Sequence, residues 1–276
     1  MLTPTADIVD AAKASGRGVG AFNVIQVEHA EAIVAGAEKA GAPVVLQISE
    51  NAVRYHGSLE PLARATLAIA AASSARVAVH LDHATDVALV RQAVELGFGS
   101  VMYDASTMSY VDNVAATADV VRHCHSRGVY VEAELGEVGG KDGVHAPGVR
   151  TDPAEAAEYV AAVGVDALAV AVGTSHAMLT RDATVDFGLI ERLATAVPVP
   201  LVLHGSSGVP DDDLRRAVVA GMTKVNIATQ LNKTFTAAVR AVLDADPSVV
   251  DTRKYVGAGR DAVAAEVARL LAVLGA

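Results

Sequence analysis

From one end to the other, the chain alternates short apolar runs of β character with longer stretches in which apolar residues recur at helical spacing. The runs Gly20–Val24, Pro43–Ser49, Val77–Asp82, Ser100–Asp104, Tyr130–Glu134, Ala167–Val172, Pro200–Leu203 and Lys224–Ile227 read as eight strands. They are short and bounded by turn residues, as buried parallel strands are. Helical patterns follow at Val27–Ala40, Leu59–Ala72, Asp86–Leu96, Val111–His125, Ala154–Val163, Asp186–Ala196, Asp211–Ala220 and Gln230–Ala245. Several open beside Asp, Ser or Thr and close near Gly, the residues that satisfy the first amides and allow the left-handed turn at the end. Strands that alternate with helices pair in parallel. Eight such units predict an α/β (β/α)8 TIM barrel with an extra N-terminal helix, Ala6–Ala14, across its bottom and an extra C-terminal helix, Arg260–Leu274. A doubly wound open sheet is the alternative. The 276 residues suit one barrel domain spanning 1–276, since this fold takes about 250 residues.

In such barrels chemistry sits at the C-terminal ends of the strands, and here those ends are polar. They carry Asn23, Gln47 and Ser49, Asp82 and His83, Asp104, Glu134, then His176, His204, and Asn226 with Thr229. One histidine at a strand end is usually a satisfied structural residue. Three of the nine histidines, His83, His176 and His204, fall just past strands three, six and seven, where their rings can converge. Three neutral imidazoles with one open position make a catalytic zinc site; cobalt and iron are compatible with the same donors. Asp82, Asp104 and Glu134 are placed to orient those ligands, hold a second cation or move protons, or else to cap helices in solvent. His80 shares strand parity with Asp82 but lies deeper, where a hydrogen-bonded core histidine is the plainer reading. His29, His56, His123, His125 and His145 share no geometry.

After strand seven, His204-Gly205-Ser206-Ser207-Gly208 forms a small glycine-rich turn whose amides and hydroxyls can cradle an anion. The loops after strands seven and eight are the common phosphate site of these barrels. Such a local device matters because the formal net charge is −10, which disfavours a nucleic-acid partner. Hydrophobic residues make up 52% of the chain, enough for a large core. No apolar run approaches the roughly 18 residues of a membrane span, and the start lacks the pattern of a leader, so a cytoplasmic protein with no membrane partner is expected. Cys124 is the single cysteine: it excludes an intrachain disulfide and a thiolate zinc site, and reads as an inert buried thiol.

The ordered motifs Gly20-Ala21-Phe22-Asn23, His80-Leu81-Asp82-His83, Glu132-Ala133-Glu134-Leu135-Gly136 with Gly139-Gly140, Gly173-Thr174-Ser175-His176, His204 to Gly208, and Lys224-Val225-Asn226-Ile227-Ala228-Thr229 resemble the class II fructose-bisphosphate and tagatose-bisphosphate aldolases across nearly the whole chain. The resemblance implies that His83, His176 and His204 bind zinc, that Asp82 is the catalytic acid, and that Asp104 and Glu134 mark a second or alternative metal position. It also implies a second divalent or a monovalent cation. Dihydroxyacetone phosphate maps onto Gly205, Ser207, Asn226 and Thr229, with Asn23 and Ser49 nearby; Ser206, Ile227, Ala228 and Ala177 fall within the same motifs. A homodimer or homotetramer acting on a small sugar phosphate is implied as well.

The chemistry accounts for these residue types. Cleaving a ketose between C3 and C4 leaves charge that becomes an enediolate, which a divalent ion on the carbonyl oxygen stabilises, while Asp82 takes the C4 hydroxyl proton. A Schiff-base lysine, expected inside the barrel, is absent from Ala167–Val172. Four positions depart from the family pattern. Asp142 stands nearest the family's mobile-loop glutamate and is one methylene shorter. Ala177 replaces a glycine. Ala228 replaces the aspartate of fructose-type members, as in the tagatose-type branch. Arg260 matches the arginine for the distal phosphate or is an ordinary surface arginine. A metal-dependent hydrolase, an aldolase for a related ketose phosphate and a noncatalytic sugar-phosphate-binding homologue are the competing readings.

Overall fold

The computed structural model describes residues 1–135, 150–175 and 178–276. Asp142, His145, His176 and Ala177 lie outside the described residues, as do Gly136, Gly139 and Gly140.

Eight parallel strands close on themselves in chain order: β1 (Val19–Asn23), β2 (Val44–Ser49), β3 (Val77–Ala84), β4 (Ser100–Tyr103), β5 (Tyr130–Leu135), β6 (Ala167–Val170), β7 (Leu201–Leu203) and β8 (Met222–Ile227). Pairing of β1 with β8, from Val19 opposite Lys224 to Phe22 opposite Ile227, completes the barrel and rules out the open sheet. Around it run α1 (Thr5–Ser15), α2 (Val27–Ala40), α3 (Glu50–His56), α4 (Glu60–Ala72), α5 (Val87–Leu96), α6 (Tyr110–His125), α7 (Pro153–Val163), α8 (Phe187–Ala196), α9 (Asp211–Ala220), α10 (Thr229–Ala245) and α11 (Thr252–Leu274), with a short 3-10 turn at Ser206–Gly208.

Alternation along each strand divides the sheet into two faces. Outward residues such as Leu46, Ile48, Val79, Leu81, Val101, Leu168 and Val225 join the large core between sheet and helices. Inward residues stack in layers. Val19, Ala21, Val45 and Ala78 pack with Ile8 and Ala12 of α1, and Met102, Tyr130, Ala167, Ala169 and Val202 pack with Val9. The apolar face of α1 therefore crosses the N-terminal end of the barrel, as the sequence predicts, and small alanines on β1, β3 and β6 make room for it. The next inward layers are polar, and they hold the candidate site.

Beyond shifts of one or two residues at strand ends, four differences from expectation stand out. His83 lies inside β3 rather than beyond it, and Thr229 begins α10 rather than ending β8. α3 is additional; Ser49 caps it by accepting from the Ala52 amide. The C-terminal helix begins at Thr252, not Arg260, because Gly257 and Gly259 continue it. A Cβ on Gly259 would meet the Phe235 ring at 2.6 Å, so the missing side chain lets α10 pack against α11.

Candidate active site

The mouth of the barrel is built by a break in alternation. In β3, Leu81 pairs with Val101 and Ala84 with Tyr103, so Asp82 and His83 together face the single residue Met102. That is a bulge, and bulges re-aim side chains. Strict alternation would send these neighbours to opposite faces. Instead His83 takes a left-handed backbone, φ 50°, and both side chains reach the same cluster.

The cluster has the chemistry of a metal site. Ligand atoms of Asp82, His83 and His204 lie within 4.8 Å of one another, as do those of His83, Asp104 and Glu134. The His83 and His204 rings meet edge to face, centroids 4.5 Å apart, so two of the three predicted imidazoles converge. Asp104 Oδ2 lies 2.9 Å from His83 Nδ1, the carboxylate–imidazole contact that fixes ring orientation in metal sites. Asp104 is further anchored by Ser106, whose amide and hydroxyl donate to its Oδ1. Nitrogen and carboxylate donors of this kind suit a divalent transition metal.

Asp82, Asp104 and Glu134 are 3%, 6% and 1% exposed, so the reading of solvated helix-capping acids fails for all three. Two amides contact Asp82: Asn226 Nδ2 lies 3.3 Å from Oδ1 and Asn23 Nδ2 lies 3.4 Å from Oδ2. Gln47 Nε2 donates to Asn23 Oδ1 at 2.7 Å and so sets which way the Asn23 amide points. Burial alone pushes the Asp82 carboxyl up, but His83, His204 and Lys224 around it outweigh that and hold it below the ordinary aspartate range. Asp82 is therefore ionised at neutral pH, ready to accept a proton. His204 is pushed down to about 4, first by burial and then by His83, so its ring is neutral, the form that ligates metal.

Beneath the mouth lies a buried network to which the sequence reading gave no role. Lys224 Nζ donates to Glu132 Oε2 and to Asn226 Oδ1, each at 2.8 Å. By occupying Asn226 Oδ1 it turns the Asn226 amide nitrogen toward Asp82. The other Glu132 oxygen lies 3.1 Å from His204 Nε2, and the Asn226 amide nitrogen is 3.1 Å from the same atom. Burial pushes the Glu132 carboxyl up, but Lys224 and His204 outweigh it and hold it well below the ordinary range. An ionised Glu132 can only accept, so His204 carries its hydrogen on Nε2 and presents Nδ1, which lies 3.4 Å from Glu134 Oε2. The signal for this pair was in the sequence: Glu132 shares inward parity with Glu134, and Lys224 with Asn226. His80 is a core histidine as expected, with Nδ1 2.8 Å from Ser100 Oγ; burial and Lys224 push it down to about 3.

The glycine-rich stretch after β7 forms a 3-10 turn. Gly205 has φ 67°, and a Cβ there would meet the Ser175 backbone at 2.7 Å, so only glycine fits between β6 and β7 loops. The Ser207 hydroxyl accepts from the Gln230 amide at 3.2 Å, tying the turn to α10. Three residues of the expected contact set have other side-chain surroundings in this structure. Ser206 is 1% exposed and its hydroxyl donates to the Asn226 carbonyl, which makes it a brace between β7 and β8. The Ile227 side chain faces outward into the helix–sheet core because β8 alternates. Arg260, on α11, lies 3.5 Å from Glu31 of α2 and 3.1 Å from Asp261. The Ser49 hydroxyl serves its helix cap.

Comparison with known proteins places the fold in a family. The family model described as fructose-bisphosphate aldolase class-II matches residues 3–276. A fructose-bisphosphate aldolase of Geobacillus stearothermophilus is 41% identical over 253 residues, 90% of this chain and 88% of that protein. A probable fructose-bisphosphate aldolase of Bacillus subtilis is 38% identical over 266 residues, 95% of this chain and 93% of its own. Among solved structures, the YdjI aldolase of Escherichia coli K12 superposes with a TM-score of 0.89 at 30% identity, covering 100% of this chain and 98% of that one. With a closed barrel, a polar mouth and a family match over almost its full length, the chain belongs to the class II fructose-bisphosphate aldolases, a family of generally metal-dependent aldehyde-lyases.

Proposed function

We propose that the chain, acting as one unit over 1–276, catalyses the reversible zinc-dependent cleavage of a ketose 1,6-bisphosphate, of fructose or tagatose type, to dihydroxyacetone phosphate and an aldehyde phosphate. The observation that carries the reading is the approach of Asp82, His83 and His204 ligand atoms within 4.8 Å at the rim that also carries the Ser206–Gly208 turn. His83 and His204, with His176 by its motif, hold the ion. A bound divalent ion supplies an electron sink at the ketose carbonyl. Asp82, held ionised, takes the C4 hydroxyl proton during cleavage and returns it to the aldehyde during condensation. Asn23 and Asn226 keep its oxygens aimed. The amides of Gly205 and Ser207, with Asn226 and Thr229, seat the phosphate. Asp142 serves the proton at the carbon left behind, and the His83, Asp104 and Glu134 set offers an alternative cation position. The enzyme works in the cytoplasm as a homodimer or homotetramer.

Triose phosphate release from fructose and tagatose bisphosphates is to be measured before and after chelation. Chelation should abolish it and zinc should restore it. Undiminished release from the metal-free protein would rule the reading out. Ala228 at the end of β8 favours including related ketose phosphates in the panel, whose relative kcat/KM assigns the substrate.

A further inference from the structure

His83 is, among the described residues, the one non-glycine residue with positive φ, and it occupies the bulge where two residues of β3 face one of β4. A side chain in that backbone region costs on the order of 1–3 kcal/mol and persists only where its surroundings hold it. On the β4 side the holder is a backbone bond, from the Asp104 amide to the Ala84 carbonyl at 2.8 Å. On the opposite side it is a side chain. Glu50, first residue of α3, sends a side chain that is 12% exposed across to the segment leaving β3. Its Oε2 accepts from the Thr85 amide at 2.6 Å, and the Thr85 hydroxyl lies 3.0 and 3.1 Å from its two oxygens. Arg54, one turn along α3, donates to the same carboxylate, which fixes the rotamer. Burying a carboxylate is costly unless it is paired and hydrogen-bonded, and every partner of this one lies in α3 or at the exit of the bulge.

We propose that Glu50 is a positioning residue for the metal centre: by clamping Thr85 it holds the bulge in β3 and so aims the His83 imidazole at the shared cluster. This deepens the reading of His83 as a ligand and depends on it. Glu50 touches neither the ion nor the substrate; it acts through two residues of backbone. Nothing in the sequence marks this role, because Glu50 follows a strand end as one more exposed-looking acid.

The test uses the full chain with zinc(II) and cobalt(II) as probes. Zinc affinity is measured by competition with a chromogenic chelator, and cobalt ligand geometry by visible absorption, for the wild type, H83A, E50A, E50Q and E50D. Glu50→Ala removes the clamp and should weaken zinc binding about tenfold or more and change the cobalt spectrum, the size seen when an outer partner of a ligand is lost. Glu50→Gln keeps an oxygen for the Thr85 amide and should stay within about threefold of wild type. Glu50→Asp keeps the charge but withdraws by one methylene and should behave like Glu50→Ala, which preserves the test if the alanine variant does not fold. Wild-type affinity and spectrum in a folded E50A or E50D would overturn the clamp while leaving His83 as ligand intact. An H83A protein that binds zinc as tightly as wild type would remove the reading beneath it.

Discussion

At the scale of single residues, Lys224 carries the largest energetic stake. It and Glu132 are each 1% exposed, and taking two charges out of water costs several kcal/mol per ion even after relaxation. The pair is tolerable because Lys224 also finds Asn226 and Glu132 also finds His204. Lys224→Met should therefore destabilise by about 3–5 kcal/mol, since it strands a buried carboxylate, and a Glu132→Gln partner mutation should recover most of the loss. Urea denaturation of the single and double variants checks this; a double variant no more stable than the single would refute it. Asp82→Asn keeps the shape and an oxygen for one of the two amide donors but removes the proton acceptor. Turnover should fall by roughly 10²–10⁴ while zinc content stays near wild type, measured by kcat and metal analysis on the same sample. The candidate site residues were legible because strand ends finish in chemistry-bearing residues. The bulge at His83 was not, because one extra residue in an alternating run leaves the apolar pattern of β3 intact.

Among elements, α2 and α11 pack so closely that a Cβ on Gly36 would stand 2.7 Å from the Ala264 carbonyl oxygen and from Val267 Cβ. Backbone cannot rotate away as a side chain can. Gly36→Ala should lower stability by about 1–3 kcal/mol from overpacking despite the better helix propensity of alanine, and a thermal melt reads the sign directly. A second tie runs through Asp211 at the start of α9, which bonds Arg181 at 2.6 Å and also meets Arg269 of α11. Burial opposes its charge, but the two arginines outweigh it and depress its folded value below the ordinary 3.8. A depressed carboxyl contributes its stability above the unfolded value and loses it as pH falls toward the folded one. The stability gap between wild type and Asp211→Asn should thus be full at neutral pH and close below about pH 3.8; a gap that does not change with pH would reject the ion-pair account. The long helices were legible from their caps and periodicity. α3 escaped because seven residues give less than two full turns of pattern, and the start of α11 escaped because Gly257 and Gly259 read as breakers, whereas both are helical and Gly259 leaves room for Phe235.

Across the whole molecule, the closed barrel was legible from eight repeated units and the length, since a sheet of that many strands with a helix between each pair has a simple way to bury both faces. What the chain alone did not reveal is that its interior is stratified, apolar below and ionised above. The two zones are divided by residues such as Ser100, whose hydroxyl is shared by Thr5 of α1 and by His80. Among the described residues, the inward side chains of the lower layers pack against Ile8, Val9 and Ala12 of α1, so that end of the barrel is filled. For the aldol cleavage proposed above, substrate and fragments would share the polar end, so a fragment that lingers should obstruct the next molecule, a consequence of how an eleven-residue helix is tucked beneath the sheet.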